Sequence, residues 1–179
     1  ANAFPKELKH LVVNGGSIDK EACKAYSLRT LVVNNAATIG SSAFRDCDAL
    51  WDVSIDQITT IGSSAFYDCD ALSDMSLSSC QSIDTLAFYD CDALKAVQLS
   101  DDLQTIGGRA FQSCDVLDSI SLPKTLQAIG VSAFEGTALR TIIIPKSVRN
   151  IRNYAFAGTK EGWSSSTPYG SKYRYYGNI

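Results

Sequence analysis

Six cysteines, one histidine and a series of aspartate pairs are the side chains in this 179-residue chain that could do chemistry. Cys47, Cys69, Cys91 and Cys114 recur at intervals of 22, 22 and 23 residues, while Cys23 and Cys80 stand outside that series. Thiols can bind soft metals, pair as disulfides or act as nucleophiles, and each use demands a partner at a set distance. The CxxC spacing of a zinc site is missing, and His10, the one histidine, has no neighbour at ligand spacing. A Ser/His/Asp or Cys/His centre would have to use His10, which falls on the outward face of a strand. No GxGxxG or GxxxxGKS/T loop is present to cradle a phosphate; Gly15-Gly16 and Gly107-Gly108 read as turns. The expectation is a protein without catalytic residues, metal or cofactor: not an enzyme.

The elements that position these side chains follow from an internal repeat. AFRDCDALWDVSI from Ala43, AFYDCDALSDMSL from Ala65, AFYDCDALKAVQL from Ala87 and AFQSCDVLDSISL from Ala110 are variants of one pattern. Phe44, Phe66, Phe88, Phe111, Phe134 and Phe156 follow at spacings of 22, 22, 23, 23 and 22. A fixed period in this range marks a solenoid, whose units cannot bury their apolar faces alone and must stack. With 45% hydrophobic residues the chain can build such a core, and disorder is excluded as its main state. No run approaches the ~18 apolar residues needed to span a bilayer.

Each unit reads as a strand and a short second element. In the strand, alternation puts Val53 and Ile55 inward and Asp52, Ser54 and Asp56 outward. Leu31 and Val33, Met75 and Leu77, Val97 and Leu99, Ile120 and Leu122, and Ile142 and Ile144 are the matching inward pairs, and Leu8, Leu11 and Val13 start the series. The second element follows Ile39-Gly40, where Ser41 or Ser42 is expected to cap a short helical turn that turns Ala43, Phe44 and Cys47 inward. Gly62, Gly107 and Gly130 repeat the bend, while Asp84 and Arg152 replace Gly in two looser turns.

The LxxLxL strand followed by IGxxAFxxC resembles the BspA-like class of leucine-rich repeats, from about Leu8 to Phe156. The resemblance implies a curved solenoid, an extracellular or cell-surface location, and adhesion or protein binding without catalysis. The first unit departs from the pattern, with Cys23 where Phe is expected and a shorter return to Leu28. The expected fold is an α/β solenoid, a leucine-rich-repeat stack with a parallel sheet on one face and short helical turns on the other. Residues 1–159 form about seven units, and residues 160–179 a Tyr-rich cap or assembly tail.

The repeat also reassigns the cysteines. Cys47, Cys69, Cys91 and Cys114 hold one core position, which Thr137 and Thr159 fill in the last two units, and Cys80 takes an apolar place held elsewhere by Ile58, Leu103, Leu126 and Val148. All six are therefore expected to be buried free thiols behaving as small hydrophobes. In-register neighbours about 4.8 Å apart could bridge only under strain.

The net charge of −3 hides a layout. Residues 1–45 hold six basic and three acidic side chains, residues 46–118 two and fourteen, and residues 119–179 eight and two. In a rod, sequence order is spatial order, so an acidic waist between basic ends is expected. The Asp pairs flanking Cys47, Cys69 and Cys91 make much of the waist; the reading is that Asp suits the turn there, with a weak divalent-cation ladder as the alternative.

Along the exposed strand face the central column runs Val12, Val32, Ser54, Ser76, Gln98, Ser121 and Ile143. Solenoids bind over such faces, so the expected contact residues are Trp51, Asp52, Ser54, Asp56, Asp74, Ser76, Gln98 and Ser121. The partner is expected to be a protein or a glycan. Trp163, Tyr169, Tyr173, Tyr175 and Tyr176, interleaved with Lys172 and Arg174, are expected to cap the core or contact another subunit. The acidic waist argues against nucleic acid. The alternative is a structural protein that polymerises head-to-tail, forming a homo-oligomer or filament through its ends and tail. The chain begins at Ala1, as a processed secretory protein or a trimmed one would.

Overall fold

Residues 5–159 are described by the computed structural model. Their alternating apolar side chains form strands β1 (His10–Ile18) and β2 (Thr30–Ile39), followed by shorter strands in pairs: β3 (Asp52–Ile55) and β4 (Thr60–Ile61), then β5 (Asp74–Leu77) and β6 (Ser82–Ile83). Next come β7 (Ala96–Leu99) and β8 (Thr105–Ile106), then β9 (Ala128–Ile129) and β10 (Asn150–Ile151). Every pairing is parallel and joins one turn to the next, which makes a solenoid of about six turns.

The repeat columns become the core. Leu28, Leu31, Val33, Leu50, Leu72, Leu94 and Leu117 are buried, with Val53, Ile55, Leu99 and Ile120 packed against them. The phenylalanines form one continuous stack: Phe66, Phe88, Phe111, Phe134 and Phe156 each lie 5.3–5.4 Å from the ring before, and beyond Phe66 the planes stay within 6° of parallel. Ring spacing therefore matches turn spacing, and offset stacking adds about 0.5–1.5 kcal/mol per pair to the burial of each ring.

The short helical turns are not there: no helix occurs among the described residues. Ser42, Ser64, Leu86, Arg109 and Ser132 have φ between 55° and 62°, as do Asp46, Asp68, Asp90 and Ser113 four residues on. Left-handed residues every four positions interrupt the right-handed conformation a helix requires. Instead, alternate amides donate to the next turn: Ser42 N to Ser63 O at 2.9 Å, Phe44 N to Ala65 O at 2.8 Å and Asp46 N to Tyr67 O at 2.9 Å. Between them Ala43 and Arg45 close tight turns onto Gly40 and Ser42. The first turn joins the same ladder through Glu21, Cys23 and Ala25, whose amides donate to Ser41, Ala43 and Arg45.

The expected strand face also carries less sheet than one strand per turn. β3 pairs with β2 and β5 with β7, but β3 does not pair with β5, and residues 119–122 and 141–144 form no strand. The uninterrupted ladder runs along a different edge, β2-β4-β6-β8-β9-β10, in which Ile39, Ile61, Ile83, Ile106, Ile129 and Ile151 align. Just beyond it, the amides of Gly62, Asp84, Gly107, Gly130 and Arg152 donate to the isoleucine carbonyl of the turn before, at 2.7–3.0 Å.

The glycines at this edge are not there for a bend. Gly40, Gly62, Gly107 and Gly130 lack positive φ, but a Cβ at Gly130 would stand 2.3 Å from Gly108 N, and one at Gly62 2.8 Å from Ile39 O. Close approach of successive turns is what excludes a side chain. Asp84 and Arg152 carry side chains at the same place and keep the same backbone bond, so the approach excludes a Cβ at the glycine turns and not at these two.

Candidate functional site

Alternation within the strands carries the expected contact residues to one side. Asp52 and Ser54 lie on β3, Asp74 and Ser76 on β5 and Gln98 on β7, all exposed, and Asp56 directly follows β3. Trp51 precedes β3, is tied by its amide to Arg29 O at 3.1 Å, and leaves 56% of its surface exposed. Pairing places Ser54 beside Val32 and Ser76 beside Gln98. The missing β3–β5 pairing separates these into two groups, and Ser121 lies beyond the second sheet in a non-strand segment. Val12 and Ile143, at either end of the column, are 60% and 55% exposed.

Beyond β7 the face opens into a groove of about 920 Å³. Gln98 and Ser121 line it, with Val97, Ile120 and Ile143 supplying apolar surface and Lys124 and Lys146 the charges. Among the described residues no backbone hydrogen bond joins 96–99 to 119–122, or 119–122 to 141–144. Asp56 N donates to Val33 O at 3.0 Å, while at the same place in the later turns Ser78, Ser100, Pro123 and Pro145 make no such bond among the described residues.

The opposite side carries a cluster that the strand-face reading passed over. The residue after each Phe points outward, so Tyr67 and Tyr89 stack at 4.8 Å with planes 14° apart, and the Arg45 guanidinium sits 4.1 Å above the Tyr67 ring while holding Asp46 at 3.3 Å. Asp46, Asp68 and Asp90 are the left-handed residues of these turns, a conformation Asp tolerates better than most, which accounts for their presence without a ligand. Partial burial, then the neighbouring carboxylates, raise the pKa values of Asp68, Asp70 and Asp90. Among the described residues no three His, Cys, Asp or Glu are grouped as a metal site.

All six cysteines are buried and unbridged. Burial pushes the Cys23 and Cys80 thiols up to about 11 and those of Cys47 and Cys114 to about 12. Cys69 and Cys91 move up as well, from burial first and the neighbouring thiols second. These are neutral thiols with a defined role: the Sγ of Cys69, Cys91 and Cys114 donates to the carbonyl of Phe44, Phe66 and Phe88, at 3.1–3.2 Å. Thr137 takes over the position with a bond to Phe134 O of its own turn, at 2.9 Å. His10 is exposed and bonded to Thr30 Oγ1 at 2.8 Å. Trp163, Tyr169, Tyr173, Tyr175 and Tyr176 lie outside the described residues.

A family model for the BspA type leucine rich repeat region matches residues 37–161 in six copies. The crystal structure of a leucine rich cell surface protein from Faecalibacterium prausnitzii is similar at 27% identity and a TM-score of 0.82, over 88% of this chain and 47% of that one. This chain thus spans about half the length of that relative. A leucine rich repeat protein of T. pallidum aligns at 23% identity and TM-score 0.77, over 84% of this chain and 75% of its own. One from Eubacterium ventriosum aligns at 20% and 0.56, over 74% and 45%. These two show the fold alone. No curated protein sequence matches the chain.

Proposed function

The chain belongs to the BspA-type leucine-rich-repeat family, and from that premise we propose that it is a non-catalytic, adhesion-like module, secreted or held at a cell surface, that binds a protein or glycan through its exposed strand face. The observation that carries this reading is the row of small exposed side chains, Ser54, Ser76 and Gln98, edged by Asp52 and Asp74 and bordered by the exposed Trp51. Short side chains on strands let a partner approach the sheet closely, and a rim aromatic offers contact area at little entropic cost. The thiols, the other reactive groups, lie inside the core, which leaves the surface to do the work. The similarity to a protein described as a cell surface protein supports the location. On this reading residues 1–159 are one solenoid of about seven units and residues 160–179 its cap or assembly contact.

The test is a screen of immobilised matrix proteins and glycans, followed by a variant combining Ser54→Arg and Ser76→Arg. Binding should fall about tenfold or more, because two long charged side chains would stand where a partner must close on the sheet. Unchanged affinity, with an unchanged unfolding curve, would remove the strand face from the reading.

The charge order favours a second reading, head-to-tail self-assembly. Fourteen acidic residues between 46 and 118 face eight basic ones between 119 and 179, so one copy's basic segment complements another's waist. Light scattering across protein and salt concentration decides it. Assembly should grow with concentration and dissolve in salt, and a monomer throughout would exclude it.

A further inference from the structure

We infer that the hollow around Gly108, walled by Arg109 and Arg152, binds the sulfate group of an acidic saccharide, a second site that the unbroken ladder separates from the strand face. The first argument is shape. The hollow measures about 520 Å³, a volume suited to a small ligand, and lies just past the ladder, where the chain leaves it at Thr85, Gly108, Val131 and Asn153. This place in the repeat carries a side chain at Ser41, Ser63, Thr85, Val131 and Asn153, and among the described turns Gly108 alone has none. Packing does not demand that glycine. Its φ is not positive, and a Cβ there would meet a Val131 methyl at 3.1 Å and no backbone atom nearer than 3.4 Å.

The second argument is where the repeat changes. The left-handed residue one place on is Ser42, Ser64 and Ser132 in three turns, but Leu86, Arg109 and Tyr154 in three others, with φ between 55° and 62° throughout. The backbone conformation is thus met by serine, and the larger side chains answer to something else. Leu86 and Arg109 line the hollow, and Leu86 stands outside the apolar core. With the exposed Val131 it offers apolar surface to the C–H groups of a sugar ring.

The third argument is charge. Arg109 and Arg152 are exposed, neither forms an ion pair among the described residues, and no carboxylate lines the hollow. Asp84, next to Thr85, has its pKa raised by burial alone, with no guanidinium beside it to pull it down. The backbone amides of Thr85, Gly108, Val131 and Asn153 make no hydrogen bond among the described residues. Guanidinium forks and spare amides are the donors that a tetrahedral oxyanion takes. The fourteen acidic residues between 46 and 118 would repel a long polyanion such as nucleic acid, whereas a short sulfated saccharide stays within the hollow.

Isothermal titration of the full chain at low salt tests this with a sulfated heparin disaccharide, the same disaccharide desulfated, inorganic sulfate, a phosphoserine peptide and a short single-stranded DNA. The sulfated disaccharide should bind saturably, and the desulfated form and inorganic sulfate about tenfold more weakly or worse. Arg109→Gln combined with Arg152→Gln should lower its affinity about tenfold. Gly108→Val should lower it as well, by filling the hollow with a side chain the fold already accepts at Val131, and both variants should keep their unfolding midpoints within a few degrees. Arg149→Gln is the control for diffuse charge: Arg149 is exposed and outside the hollow, and its loss should change affinity by no more than about twofold. No saturable binding, equal binding of the desulfated disaccharide or of inorganic sulfate, or an equal loss in Arg149→Gln would each overturn the proposal. Tighter binding of the phosphopeptide or the DNA would assign the hollow to another ligand class and overturn it too. Binding kept in the arginine-pair variant but lost in Ser54→Arg/Ser76→Arg would overturn the hollow and leave the strand-face reading standing.

Discussion

Cys23 and Tyr26 carry a small and a large side chain in the order opposite to Phe44 and Cys47, their counterparts in the next turn. Cys23 N donates to Ala43 O as Phe44 N does to Ala65 O, so Cys23 stands in the phenylalanine column and Tyr26 in the cysteine column. Both are buried, at 0% and 2% exposure. The first turn thus keeps its core volume by exchange, and cores tolerate such exchange far better than a net change in volume. Cys23→Phe alone should cost about 1–3 kcal/mol from overpacking against Tyr26. Adding Tyr26→Cys should recover part of that loss. Urea unfolding of both singles and the double gives the coupling energy; strict additivity would mean that the two sites do not share a volume.

Turn stacking at the glycine edge is unforgiving. Gly130→Ala would put a Cβ 2.3 Å from Gly108 N and 2.4 Å from Gly107 C, both backbone atoms that cannot swing away. The expected loss is about 2–4 kcal/mol, read from thermal or urea unfolding. Gly136→Asn is the control: its φ of 76° suits Asn and its nearest neighbour lies at 3.7 Å, so the cost should stay near or below about 1 kcal/mol.

The thiol ladder makes stability sensitive to alkali. Folding raises these thiol pKa values, to about 11 for Cys23 and Cys80 and about 12 for Cys47 and Cys114, against roughly 8.5 for a thiol in the unfolded chain. The unfolded state therefore loses its thiol protons first, and stability is present in full below about pH 8.5 and drains away between there and about pH 12. Each thiol contributes up to about 1.36 kcal/mol per pH unit inside that window. Unfolding free energy measured from pH 7 to 11 should show the fall, with a smaller slope in Cys91→Ala. A thiol reagent at pH 8 should modify the protein only as fast as it opens, whereas rapid native labelling would contradict the burial.

The acidic turns shift stability with the same sign as the thiols, in an acidic window instead of an alkaline one. Burial, then the carboxylates of Asp46, Asp48 and Asp92, raise the Asp68 pKa, so the folded state holds that proton more tightly than the unfolded one and mild acid favours folding. Asp68→Asn removes the charge and keeps a residue that accepts a φ of 58°. Because Asp68 is largely solvated, the gain at neutral pH and low salt should be only a few tenths of a kcal/mol. It should shrink further at high ionic strength, and a gain indifferent to salt would point away from charge.

The columns of the core were legible because a solenoid writes its geometry as a period: the recurrence of Phe44 through Phe156 at 22–23 residues places each ring over the last without reference to anything else. The family resemblance and the outward placement of Ser54, Ser76 and Gln98 follow from the same spacing and from strand alternation. The helical turns were misread because Ala43, Phe44 and Cys47 satisfy helical spacing equally well, and local spacing does not reveal that Ser42 and Asp46 turn left-handed when their amides find carbonyls in the next turn. The first turn looked irregular for a related reason: a volume exchange between Cys23 and Tyr26 leaves the packing intact and breaks only the motif.

By itself, then, the sequence determined which residues face inward, how they stack, and where acid and base fall along the rod, since all three depend only on period and alternation. Tertiary structure alone decided which edge carries the unbroken ladder, that the thiols donate to phenylalanine carbonyls, and that β7 ends a sheet beside an open groove. Those outcomes depend on where each backbone N–H finds its acceptor one turn away, and the residue types in a single turn do not specify that distance.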